Sequence, residues 1–223
     1  MRIIRKSTEK LLIESFKYEF KKVVSNKNIA KKRLSFVLTG GPSPVNLYKK
    51  LSKLKINWSN VDFFWGDERC VSKSSIHSNY NLANKNLLKF IKVKKNNIYS
   101  IDTQNISAKN SANYYSSKIK KYFKGKKIRF DIFLLGMGND GHIASIFSDD
   151  LKPKLNKIAR SVKRKDFKRI TINLKTINKS KIIYLWLNTK KKTEIFNSIK
   201  NKKNKNIPVN LLKKNKIVVF SVK

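Results

Sequence analysis

The chain has one cysteine, Cys70, two histidines, seven glycines and four prolines in 223 residues. A lone cysteine excludes an internal disulfide, and the lack of paired Cys or His spacing excludes a zinc-finger framework. No apolar run approaches the roughly 20 residues needed to cross a bilayer; "IIYLWL" and "FDIFLLGMG" are the longest and fall far short. The N-terminal stretch "MRIIRKSTEKLLIESF" carries acids among its apolar residues and no cleavage site after an apolar run, so no signal peptide is expected. No repeat or flexible linker interrupts the sequence, and "NKKNKNIP" (201–208) reads as a loop. One domain spanning 1–223 is expected, a cytoplasmic enzyme or binding protein with no membrane contact, monomeric or dimeric.

Acidic side chains are scarce too. Thirteen Asp and Glu stand against 53 Lys and Arg, a formal charge of +40. Such an excess invites a nucleic-acid reading, because lysines neutralise phosphates and release counterions. The lysines, however, run from end to end, at "KKVVSNKNIAKKR", "FIKVKKN", "SVKRKDFKR" and "NKKNKN". Lys, Asn and Ile are over-used together, as a coding bias towards A and T would produce. Nucleic acid is therefore not the expected partner. A positive field still draws in small anionic substrates.

What is present is a β-α alternation around a good supply of apolar residues. Strands are expected at 34–41, 61–68, 130–138, 169–174, 181–188 and 216–222, several apolar at successive positions as strands covered on both faces are. A helical stripe runs through Leu11, Leu12, Phe16 and Phe20, and "SPVNLYKKLSKL" follows the first glycine turn with Pro44 placed for a first helical turn. Two more helices open at Ser78 and Ser107, both plausible N-caps. The order predicts an α/β fold, a mostly parallel, Rossmann-like sheet between helical layers, with ligands bound at the carboxyl ends of the strands.

Three strand tips are polar. In "LTGGPSP" (38–44), Gly40 and Gly41 let backbone amides approach an anion, and Thr39 and Ser43 add hydroxyls. The stretch is neither a P-loop nor a dinucleotide fingerprint, and a plain tight turn accounts for it equally well. In "FFWGDERCVSKSSIHSNYN" (63–81), Arg69 suits bidentate recognition of phosphate or carboxylate, Asp67 suits orientation or proton traffic, and Asn79 lies in the polar loop beyond. A surface ion pair is the alternative there. The third tip, "FLLGMGNDGHIASIF" (133–147), sets Asp140 and His142 among three of the seven glycines. No G-x-S-x-G elbow accompanies the histidine, so it most simply activates water.

These stretches carry a resemblance. "LTGGPSPVNLY", "NWSNVDFFWGDERCV" with "SNYNLA", and above all "FDIFLLGMGNDGHIASIF" make the chain similar to the 6-phosphogluconolactonase family over nearly its whole length. The resemblance implies a three-layer fold related to the glucosamine-6-phosphate deaminases. It implies hydrolysis of 6-phospho-D-glucono-1,5-lactone to 6-phosphogluconate, a step of the oxidative pentose phosphate pathway, without metal or organic cofactor. Position by position it makes His142 the general base with Asp140 beside it, and Arg69 and Asn79 residues of the pocket. It makes Arg169 in "KRITI" and Lys192 in "NTKKKTEIF" phosphate ligands, with Lys190 and Lys191 adjacent competitors for the last role. The chain departs from the family pattern at Pro42, where Ser is common, at "IFSDD" after the histidine motif, and in ending at "VVFSVK". The rival readings are a glucosamine-6-phosphate deaminase, whose usual Asp-Glu-Tyr is "DER" here, a non-catalytic sugar-phosphate-binding module, and a nucleic-acid-binding protein.

Overall fold

A computed structural model describes residues 1–30, 32–152, 156–202, 204 and 206–223. The elements run β1 (Arg2–Lys6), α1 (Glu9–Ile29), β2 (Leu34–Leu38), α2 (Val45–Leu51), β3 (Val61–Trp65), β4 (Asp67–Arg69), α3 (Asn79–Asn86), β5 (Ile98–Tyr99) and α4 (Ala108–Tyr122). They continue with β6 (Ile132–Leu135), β7 (Ala159–Lys163), β8 (Lys168–Ile172), α5 (Leu174–Ile177), β9 (Ile182–Leu187), α6 (Lys190–Asn201) and β10 (Ile217–Val222). Seven strands form a parallel sheet in the order β1-β10-β9-β6-β2-β3-β5. β2, β3 and β6 are buried at every position, as the unbroken apolar runs predict for strands covered on both faces. Phe16 of α1 packs edge-on to Tyr184 and Trp186, alternate residues of β9, and against Phe220 of β10. Ser78 and Ser107 cap α3 and α4, accepting from the amides of Asn81 and Asn110. Pro44 is the N-cap residue of α2 and not its first helical residue. The loop read at 201–208 lies partly outside the described residues, and its first residue closes α6.

Two expectations need correction. The strand read over 61–68 is two strands divided at Gly66, and the strand read over 169–174 does not join the parallel sheet. β4, β8 and β7 form a second, antiparallel sheet. Gly66 is the junction: its amide donates to Leu38 of the large sheet, and its carbonyl accepts from Ile172 of the small one. One cluster of buried apolar side chains nevertheless takes in both sheets, from Phe36 and Phe133 to Ile170 and Ile172. The described residues contain no helix long and apolar enough to cross a membrane.

Candidate active site

A cleft of about 210 Å³ opens at the carboxyl ends of β2 and β6 and beside β4. It is lined by Thr39, Gly40, Gly41, Ser43, Asp67, Arg69, Asn79, His142, Arg169 and Lys192, and also by Pro42, Met137 and Ala144. Each residue singled out from the sequence is therefore in one place except Asp140, which stands behind the histidine. His142 Nδ1 lies 2.6 Å from Asp140 Oδ1, and the His142 amide donates to the same oxygen at 3.1 Å. Burial alone would raise the Asp140 carboxyl, but the hydrogen bond from the His142 amide and the imidazole beside it hold it below the usual range. An ionised carboxylate on Nδ1 fixes the proton there and leaves Nε2 with its lone pair. The Phe147 ring centroid lies 4.5 Å from that of the imidazole, and the Arg164 guanidinium lies over the same Phe147 ring, 4.1 Å from its centroid.

Glycine is required where this loop folds back. A Cβ on Gly138 would stand 2.2 Å from His142 Nδ1 and 2.7 Å from Asp140 Oδ1. One on Gly40 would stand 1.9 Å from Asn79 Oδ1. The Gly138 amide donates to the His142 carbonyl and the Gly141 amide to Gly138, so both serve the loop itself. The amides of Gly40, Gly41 and Ser43 donate to no partner among the described residues. Thr39 is held from behind by the Tyr48 hydroxyl, which bonds both its amide and its carbonyl, while Thr39 Oγ1 accepts from the Gly136 amide.

The small sheet brings two arginines together. Arg69 and Arg169 are paired directly across the β4–β8 ladder, where like charges ordinarily repel. Arg69 donates to the His77 carbonyl, and Arg169 is bridged to Asp166. Arg169 Nε is buried with no hydrogen-bond partner among the described residues. Lys192, in the first turn of α6, donates Nζ to the Met137 carbonyl at 2.8 Å, and burial lowers its ammonium pKa. Lys190 and Lys191 are exposed and do not line the cleft.

Asp67 is 8% exposed and accepts from Ser145 Oγ at 2.6 Å and from Asn79 Nδ2 at 3.3 Å. Burial pushes its carboxyl up, against the Ser145 bond and the charges of Arg169, Arg69 and His142. Its neighbour Glu68 is buried deeper and takes the amides of Arg69, Asn79 and Tyr80 and the Ser78 hydroxyl. Glu68 thus fixes the start of α3 and with it Asn79. Ser145, Glu68 and the hairpin residue Arg164 escaped the sequence reading. Ser145 sits three residues past the histidine, but an isolated serine carries no signal until the fold sets it against Asp67. Ala144 adopts φ 48°, a left-handed backbone rare for a side chain with a Cβ. Among the described residues no three His, Cys, Asp or Glu side chains gather as a metal site would need.

A carboxylate-held imidazole and two arginines set across a β ladder, sharing one cleft at the ends of a parallel sheet, place the molecule among α/β enzymes that handle small anions. The family is narrower. Residues 7–220 match the model for glucosamine-6-phosphate isomerases/6-phosphogluconolactonase, and the chain belongs to that family. It is 29% identical to a 6-phosphogluconolactonase of Thermotoga maritima over 81% of this chain and 79% of that one. It is 30% identical to a 6-phosphogluconolactonase of Synechocystis sp. over 67% of this chain, a stretch that spans 64% of the relative. The crystal structure of the Thermotoga maritima 6-phosphogluconolactonase superposes with a TM-score of 0.85 at 25% identity, covering 99% of this chain and 98% of that one.

Proposed function

We propose that the cleft hydrolyses the ring ester of 6-phospho-D-glucono-1,5-lactone to 6-phospho-D-gluconate. The observation that carries the reading is the pairing of His142 Nδ1 with Asp140, which leaves Nε2 as a base in a cleft that also holds Arg69 and Arg169. A δ-lactone is an activated ester, so water suffices as nucleophile. His142 Nε2 takes a proton from water as its oxygen attacks the lactone carbonyl, and Asp140 stabilises the imidazolium. The developing oxyanion is met by the unpartnered amides of Gly40, Gly41 and Ser43. Collapse breaks the bond to the ring oxygen, and His142 returns its proton there. Arg69, Arg169 and Lys192 hold the phosphate, a remote group whose binding orients the carbonyl.

Asp67, whose carboxyl pKa burial raises, orients Asn79 and shares in proton traffic through Ser145. The single-domain reading over 1–223 is supported by the one apolar cluster that takes in both sheets. A cytoplasmic setting and action without cofactor go with a soluble sugar phosphate and an already activated ester. The test follows freshly made lactone by NMR, with uncatalysed ring opening subtracted. Accelerated appearance of 6-phosphogluconate is expected. Ammonia release from glucosamine 6-phosphate without lactone turnover would favour the deaminase reading, and binding of 6-phosphogluconate without turnover of either would leave a sugar-phosphate-binding module.

A further inference from the structure

Lysines dispersed along the sequence converge at the end of the parallel sheet opposite the cleft. There, beside the first residues of β2, β3, β6 and β9, lies a groove of about 1190 Å³ that shares no residue with the cleft. Of its twenty lining residues eleven are Lys or Arg, more than half, against 53 of 223 in the whole chain. The charge is therefore not uniform: another hollow, along α1, is lined by Glu14 and Glu19 with Lys6 as its one cation.

The groove's acids are already engaged. Asp62 pairs with Arg33 and Asp131 with Lys27 and Lys181, while Lys118 is taken by Asp102 from outside the groove. Lys95, Lys121, Lys124, Lys126, Lys127 and Arg129 have no carboxylate within 4.0 Å among the described residues. Lys127 and Arg129 also line an adjoining hollow with Lys213 and Lys216. Burial lowers the Lys216 ammonium pKa, and the charges of Arg129, Lys213 and Lys127 lower it further. Like charges are thus held together without a counter-charge, and a bound polyanion would relieve their repulsion.

The groove also carries aromatic side chains. Tyr99 lies flat on Phe64, with centroids 4.6 Å apart and planes 7° from parallel, and Tyr122 meets it edge-on at 5.2 Å. Both tyrosines line the groove and are half-buried. Burial and the nearby Asp62 raise both phenols, which stay neutral. A ring braced from behind by another ring is a rigid stacking platform, and cations tracking a backbone past such a platform suit unpaired bases. A duplex hides its base faces, and a flat membrane would touch only the rim lysines.

We propose that this groove binds single-stranded nucleic acid, with phosphates on the rim lysines and bases against Tyr99 and Tyr122. The test uses the full chain and fluorescein-labelled dT20, read by anisotropy in 150 mM salt. Binding is expected, with log K falling linearly in log salt. Combining Lys121→Glu, Lys124→Glu, Lys127→Glu and Arg129→Glu should weaken it by about a hundredfold or more, while lactone hydrolysis and the circular dichroism spectrum stay unchanged. The same charge change at exposed Lys49, Lys53, Lys55 and Lys89 should weaken it by only about threefold, because screening at this salt acts over about 8 Å. Should the quadruple variant fail to fold, Lys124→Glu with Lys127→Glu, in an exposed turn, makes the same comparison. Tyr99→Leu should reduce dT20 binding by roughly fivefold or more and leave binding of inorganic polyphosphate intact. Equal losses in groove and control variants would overturn the proposal. So would Tyr99→Leu binding dT20 like the parent chain, or phosphatidylserine vesicles, and not dT20, being the ligand that the groove variants lose.

Discussion

The two ends of the parallel sheet each bury a carboxylate, and the two are managed in opposite ways. At the amino end Asp131, 5% exposed, has Lys27 at 2.7 Å and Lys181 at 2.8 Å, and accepts from the Ser35 amide and hydroxyl. Burial would raise its pKa, but the two ammonium groups and the Ser35 bonds outweigh it and hold the carboxyl below its ordinary range. Asp67, near the carboxyl end, is buried to a similar degree, yet its contacts are a hydroxyl and an amide, with no cation within 4.0 Å among the described residues. Burial prevails there and its pKa rises. A compensated carboxylate stabilises the fold; one left short of compensation is free to exchange a proton or steer a partner.

Substitutions can break this contrast. The largest effect is expected at the cleft: His142→Ala should lower turnover by roughly two to four orders of magnitude with an unchanged urea midpoint. Near parental turnover would remove His142 as the base. At the other end Asp131→Ala should lower stability by roughly 1–3 kcal/mol in urea unfolding, because the buried Ser35 amide and hydroxyl lose their acceptor while Lys27 and Lys181 turn to water, and KM should be unmoved. Arg69→Ala should raise KM by roughly ten- to a hundredfold, the loss of a charge-assisted contact worth about 1.5–3 kcal/mol. A small effect there would shift the phosphate site to Arg169 and Lys192.

Acidification sharpens the contrast within one experiment. The pKa of Asp131 is depressed in the folded state, so its stabilisation is complete above the ordinary carboxylate range and is lost as pH falls through and below that range. Asp67, with a raised folded-state pKa, takes up a proton on folding, so falling pH relieves its burden. Asp131→Asn should therefore flatten the fall of Tm between neutral and acid pH, and Asp67→Asn should steepen it. Identical slopes in both variants would erase the distinction. The smallest effect is expected at Lys95, a rim lysine of the groove: Lys95→Ala should leave turnover and Tm within measurement error.

Five of the seven strands of the parallel sheet are legible because burial on both faces writes itself as consecutive apolar residues, as in "FDIFLL" and "IIYLWL". β1, β5 and β7 escaped the reading. β1 carries arginines at a sheet edge, β5 is two residues long, and β7, "ARSVK", mixes charged and polar residues with small apolar ones at the edge of the small sheet. α6 was hidden by a run of lysines, which mark a solvated face as readily as a loop. Within the site, motif residues adjacent in sequence were readable, since the turn that holds His142 against Asp140 is local. The Ser145–Asp67 bond spans 78 positions and the Arg69–Arg169 pairing a hundred, so only tertiary structure could reveal them.

Gly66 sets a length standard for the proposed substrate. The proposed base, His142, rides on the loop after β6 of the large sheet, whereas the two arginines proposed to hold the phosphate ride on the small sheet, joined to the large one through the two hydrogen bonds of Gly66 and the tie from Ser145 to Asp67. Carbonyl and phosphate must therefore reach two anchors whose separation the protein fixes in advance. The cleft works as a calliper: a lactone whose phosphate sits one carbon nearer the ring, or that has none, can fill one jaw and leave the other open.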